Sequence, residues 1–210
     1  MSSGLNARKV AMFLGLTFAI SWTSGIGIYL SGIKLGTLLR TILITALFMW
    51  APAFSAILTK LWYGESILDS YGLKNPRFSW TMLAWVVPVL ILVLTVGIAL
   101  LFPDVMFSPD YETAFLDLGL SQSQVDEAMK ELEVIPASII PIVFVVQGLF
   151  AGITINAVAA LGEELGWRGL LLDELSSLGF WKVSIITGLI WGVWHAPIIV
   201  QGHNFPGAPF

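Results

Sequence analysis

The sequence predicts an all-α protein: a polytopic bundle of transmembrane helices, about five spans in residues 1–210, read as a single helical membrane domain. Three observations predict it. Of the 210 residues, 57% are hydrophobic and only 11% charged, and the mean hydropathy is +0.86. A soluble domain is about 45–50% apolar and about 25% charged, and a globule this small cannot hide such an excess. The apolar residues also come in runs of the ~20 that cross a ~30 Å hydrocarbon core as a helix. Finally, no internal repeat, low-complexity tract or long linker marks a second domain.

The first span is Val10 to Leu30, behind Arg8 and Lys9. A basic start fits a signal peptide, but the apolar run is full-length and no A-x-A-like site closes it, so it is read as a retained helix. The second is Thr37 to Thr59, with Arg40 near its start, and the third is Trp80 to Phe102, free of charge. The fourth begins near Pro136 and runs apolar to Leu161, and the fifth runs from Phe180 to Val200, with Lys182 at its start and His195 inside it. Between spans three and four, Pro103 to Val134 is acidic, with eight carboxylates against Lys130. Ser121 and Gln124 form a capping box there. Val125, Met129 and Leu132 recur at helical spacing, and Asp126 and Lys130 make an i,i+4 pair. This amphipathic helix either lies on the bilayer or bundle, or covers a substrate entrance.

Basic residues near span ends mark the cytoplasmic side. Arg8 and Lys9, then Lys60, Lys74 and Arg77, then Arg168 and Lys182 put the N-terminus inside and the acidic segment outside; Lys34 and Arg40 run against this scheme. Ten Lys+Arg against fourteen Asp+Glu leave a net charge of −4 and no basic patch, which excludes nucleic acid as a partner and leaves membrane lipids and bilayer-embedded peptides. The absence of cysteine removes disulfides, thiol nucleophiles, zinc-thiolate sites and iron–sulfur clusters together. Histidine chemistry has only His195 and His203 to draw on.

The charges at the end of span four are the informative ones: Gly162-Glu163-Glu164-Leu165-Gly166-Trp167-Arg168-Gly169. A helix that stopped here would leave them in the headgroups as a terminal ion pair without chemistry. But Leu170, Leu171, Leu172 and Leu175 follow, and the next turn signal is Ser176-Ser177-Leu178-Gly179. A helix through Leu175 immerses Glu163 and Glu164, at ~2.5–3.5 kcal/mol per ionisable group on insertion scales, which makes them functional by default. Glu164 and Arg168 are i,i+4 on one face and are expected to pair. Glu163 lies about 100° around the helix with no cation at i+3 or i+4; burial disfavours its charge, which suits a general base or acid.

His195 is the second intruder, in Trp191-Gly192-Val193-Trp194-His195-Ala196-Pro197. Helices folded back at Gly179 bring the carboxylates and the imidazole to the same depth, each roughly 20–24 Å from the turn at 1.5 Å per residue. Trp191 lies one turn before His195 and walls the same pocket. The group can activate water, with Glu163 taking the proton and His195 orienting the water or sharing the proton. A metal such as zinc, held by Glu163 and His195, is the other option; no metal or other cofactor is expected, because no H-E-x-x-H pair occurs. Serine G-x-S-G and aspartate G-x-G-D intramembrane motifs are absent too.

Glu163-Glu164-x-x-x-Arg168 and Trp191-x-x-x-His195 resemble the two motifs of the CPBP family, the CAAX-protease and bacteriocin-processing membrane endopeptidases also called ABI. Glu-Glu-Leu-Gly-Trp-Arg-Gly is similar to the prokaryotic branch. Leu16 to Trp22, Ala51 to Ala56 and Asn204 to Gly207 echo other family segments. The resemblance implies a glutamate-dependent intramembrane endopeptidase of a prokaryotic cell membrane, cleaving a membrane-associated or prenylated protein or peptide. It implies Glu163 and His195 as catalytic, with Glu164, Arg168 and Trp191 supporting. A non-catalytic partner-binding or bacteriocin self-immunity protein is the alternative, and a transporter would need polar groups spread along a path. The family's later H-x-x-x-N/D motif, thought to stabilise the oxyanion, is absent: four residues beyond His203 stands Gly207. The motif-bearing core, residues 136–210, is therefore expected to be truncated.

Overall fold

Apolar runs leave the backbone one way to satisfy its own hydrogen bonds in lipid, and it takes it: the described residues of the computed structural model, 5–67 and 77–203, contain helices and no strand. They group into two compact units, Met1–Asn75 with Val158–Phe210, and Pro76–Ala157. Lys74 and the Asn204 to Gly207 segment lie outside the described residues.

In the first unit, α1 (Ala7–Leu30) starts at Asn6, whose side chain accepts from the Lys9 amide. It buries a stripe of Lys9, Phe13, Thr17, Ser21, Gly25 and Ile28. Four-residue spacing with small members lets a neighbouring helix come close, as membrane packing requires. The second span is α2 (Leu38–Leu43), a π-helical turn at Ile44–Met49 and α3 (Ala51–Trp62). The small residues Ala51, Ala53, Ser55 and Ala56 of α3 are all buried. At the core Phe13 meets Trp167 edge-on at 5.6 Å, Trp167 meets Trp194 at 5.4 Å, and Phe48 lies 4.5 Å from Trp194. Such pairs add ~0.5–1.5 kcal/mol each to their area burial. Ser21 fixes the stack laterally, accepting from Trp194 Nε1 at 2.7 Å.

Lys9 does not reach a headgroup as a lone cation. It is buried, with Nζ 2.6 Å from Glu65 and 2.6 Å from Glu174, and Lys60 lies 3.8 Å from Glu65. The network joins the start of α1, the end of α3 and the helix that follows the site.

The second unit holds α4 (Phe78–Ala99), α5 (Tyr111–Asp117), α6 (Gln122–Glu133) and α7 (Ile140–Ile153). Helix α4 is apolar on all sides and buries no residue in the protein, the pattern of a helix facing lipid. Trp85 ties it to α7 by donating to the Leu149 carbonyl at 2.9 Å, beside an apolar groove of about 1110 Å³. The acidic segment carries two short helices rather than one. Asp110 caps α5 through the Thr113 amide at 3.1 Å. Helix α6 has the expected capping box, with Gln124 accepting from the Ser121 amide at 3.0 Å. The expected Asp126–Lys130 pair does not form among the described residues; Asp126 accepts instead from Gln122 at 3.0 Å, because the amide one turn back is nearer the carboxylate.

Among the described residues, three helices are long and apolar enough to cross a membrane: Ala7–Leu30, Leu38–Trp62 and Phe78–Ala99. The fourth expected span is broken at Thr154 into α7 and a second helix, and counts as a span only if the two parts are taken together. The fifth is a 15-residue helix, α10 (Phe180–Trp194), followed by α11 (Ala196–Val200). The reason is Pro197, which has no N–H to continue the ladder past Trp194.

Candidate active site

After Thr154, α8 (Ile155–Glu164) runs without interruption into a π-helical stretch, Leu165–Leu171, then α9 (Leu172–Leu175) and one 3₁₀ turn, Ser176–Leu178. The two glutamates are therefore mid-helix, as the leucines downstream implied. Gly179 makes the turn with φ 83°, a left-handed value that glycine alone adopts freely. Helix α10 returns from it.

Two glycines one turn apart press this helix onto the start of α3. A Cβ at Gly162 would stand 2.8 Å from the Trp50 ring and 2.9 Å from the Met49 carbonyl. At Gly166 it would overlap Pro52, main chain included. This is the small-xxx-small approach of membrane helices, and it encloses Glu163, which is 8% exposed.

Glu163 Oε2 accepts a hydrogen bond from the indole N–H of Trp191 at 2.9 Å. The carbonyl of the same residue lies 2.9 Å from His195 Nδ1. A carbonyl only accepts, so Nδ1 carries the proton and, in the neutral ring, Nε2 is left as an acceptor. Trp191 thus holds both candidate catalytic groups, one by its side chain and one by its backbone. Trp191 and Trp194 flank the imidazole edge-on at 4.7 and 4.6 Å. No direct hydrogen bond joins Glu163 to His195 among the described residues.

Arg168 Nη1 bonds Glu164 Oε1 at 2.8 Å, the expected i,i+4 pair, and both side chains are 49% exposed. The guanidinium also stacks over the Trp191 ring, 5.5 Å from its centroid. Exposed pairs contribute ~0–1 kcal/mol, so the pair's importance is where it holds Arg168 rather than stability. A cavity of about 260 Å³ opens beside it, lined by Trp167, Arg168, Leu172, Thr187, Gly188 and Trp191 among others. A zinc centre draws three or more protein ligands. No group of three His, Cys, Asp or Glu converges among the described residues; Glu163 and His195 are the two donors the site offers.

All five residues singled out in the sequence lie in this one unit, linked through Trp191. The part missed was the donor function of Trp191, which was read as a wall. The available signal was that tryptophan is the aromatic side chain whose ring N–H can donate to a carboxylate.

Residues 139–208 match the family model described as type II CAAX prenyl endopeptidase Rce1-like. This stretch is similar to that family. It contains Glu163, Glu164, Arg168, Trp191 and His195, so the resemblance to the CPBP family carried by the two motifs stands. The chain is also similar to the CAAX prenyl protease 2 of Methanococcus maripaludis, 44% identical over 48 residues. That alignment covers 22% of this chain and 18% of the relative's length. No solved structure matches.

Proposed function

We propose that the protein is an intramembrane endopeptidase that hydrolyses a peptide bond of a membrane-associated or prenylated substrate, with Glu163 and His195 activating the water. The observation that carries the reading is the double use of Trp191 inside the Rce1-like stretch. Its N–H occupies one oxygen of the buried Glu163 and its carbonyl fixes the tautomer of His195. That leaves Glu163 Oε1 and His195 Nε2 as two acceptors, and a water donating one hydrogen to each presents its lone pair to a carbonyl carbon. Attack forms the C–O bond while the proton passes to Glu163. The C–N bond then breaks, the proton goes to the leaving nitrogen, and the products are a carboxylate and an amine. Glu164 and Arg168 act as positioning residues, through the stacking of Arg168 on Trp191. No metal is required by this scheme.

The protein is integral to a membrane, and its apolar helices support that directly. A prokaryotic cell membrane with the N-terminus in the cytoplasm agrees with Arg8, Lys9 and Lys60 at the same end of their spans. The test is Glu163→Gln, which keeps the shape and removes the base. We expect cleavage of an S-farnesylated CAAX peptide by the full-length protein in liposomes to be lost, with membrane accumulation unchanged. Cleavage at the wild-type rate would remove Glu163 from the role.

A further inference from the structure

We infer that the cleft between the Trp167–Leu172 stretch and α10 receives substrate residues flanking the scissile bond, and that Gly188 sets the largest side chain admitted. This rests on the hydrolytic reading above and adds to it the residue that selects among substrates.

The cleft adjoins the candidate reaction centre through one shared residue. Trp191 is both its wall and the donor to Glu163. Its lining mixes Leu172 and Val183 with the hydroxyls of Ser184 and Thr187, which suits a peptide backbone with apolar side chains better than an acyl chain alone. Its wall on α10 runs from Val183 to Trp191, about 12 Å at 1.5 Å per residue. An extended peptide advances ~3.3–3.6 Å per residue, so about three residues fit. The opposite wall falls on the π-helical stretch, a widened winding that recurs at functional sites.

Gly188 is the opening in this wall. A Cβ built there meets nothing within 4 Å, although a mid-helix glycine is destabilising relative to alanine. Nothing in the packing of the protein calls for the glycine, whereas Gly162 and Gly166 are forced by their neighbours. What it leaves is room in the cleft. A side chain at this position narrows the space without disturbing the fold.

The experiment compares the full-length wild-type protein with Gly188→Leu in phosphatidylglycerol–phosphatidylethanolamine liposomes. The substrates are S-farnesylated peptides whose last three residues are varied singly from Ala to Leu to Phe. Pocket contacts of this size change discrimination by about 10–200-fold. We expect Gly188→Leu to lower kcat/KM for Phe peptides at one position at least about tenfold, and for Ala peptides less than about threefold. A uniform loss across all peptides, or no change, overturns the assignment. A second measurement separates this inference from the hydrolytic one. Glu163→Gln protein is photo-cross-linked to a benzophenone-bearing version of the same peptide, and the adducts are mapped by mass spectrometry. Adducts within Val183 to Trp191 uphold the cleft, and if the wild type does not cleave, only the hydrolytic reading falls. Adducts elsewhere with cleavage intact overturn the cleft and leave hydrolysis standing. Neither adduct nor cleavage overturns both.

Discussion

Trp191→Phe tests the site with one atom group. The substitution keeps an aromatic ring beside His195 and under Arg168, now 4.7 and 5.5 Å away. It also keeps the backbone carbonyl that bonds His195 Nδ1. What it removes is the N–H that reaches Glu163 Oε2 at 2.9 Å. A hydrogen bond to a charged group contributes ~1.5–3 kcal/mol. If all of that serves to aim the carboxylate, kcat/KM falls roughly 10- to 150-fold, at 1.36 kcal/mol per factor of ten. The bond is made before the substrate arrives, so the loss should appear in kcat more than in KM. The assay is cleavage of a fluorescent S-farnesylated peptide in liposomes, paired with thermal unfolding in detergent. Cleavage by Trp191→Phe within about twofold of wild type refutes the reasoning. So does a drop in Tm large enough to account for the lost activity by unfolding.

Two further outcomes concern stability. Gly166→Ala should destabilise by about 1–3 kcal/mol, the usual range for overpacking, because the added Cβ meets the Pro52 main chain, which cannot rotate away; Gly188→Ala, with open space around it, is the comparison that should leave Tm unchanged or raise it. Lys9→Met takes the ammonium from the half-buried Glu174 carboxylate, which keeps the Asn6 amide at 3.3 Å, and should cost ~1–3 kcal/mol in thermal or steric-trap unfolding. Lys9→Met combined with Glu174→Leu should recover much of that loss, and a double variant as unstable as the single one would mean that the pair is not the source.

The legible part of the fold was whatever a local rule determines. Leu170 to Leu175 required the helix to continue past the glutamates, and Gly179 was the residue able to turn it back; together these two features put Glu163 and His195 on adjoining helices before any coordinates. Ser121 and Gln124 specified the start of α6 in the same way. The parts that were not legible depend on partners remote in sequence or on small departures from ideal winding. Lys9 reads as a membrane-edge cation because Glu65 and Glu174 lie 56 and 165 residues away. Nothing in Leu165–Leu171 announces π winding, since the side-chain period of a single widened turn is lost in an apolar run. The fifth helix is shorter than its apolar run, which continues through His195 to Val200, because the winding breaks at His195, two residues before Pro197. The Asp126–Lys130 spacing was correct, and the nearer Gln122 amide won the carboxylate.

Trp191 lies on α10 with His195 as its C-cap, and Glu163 lies on α8. Any slide or tilt of α10 against α8 carries the indole donor and the imidazole together and pulls both from the carboxylate. Helices that cross lipid adjust their inclination to bilayer thickness at a cost of fractions of a kcal/mol per Å. A thinner or thicker bilayer therefore strains the same 2.9 Å link that aligns the proposed reactive groups, and peptide cleavage in liposomes of short-chain and long-chain lipids is expected to differ.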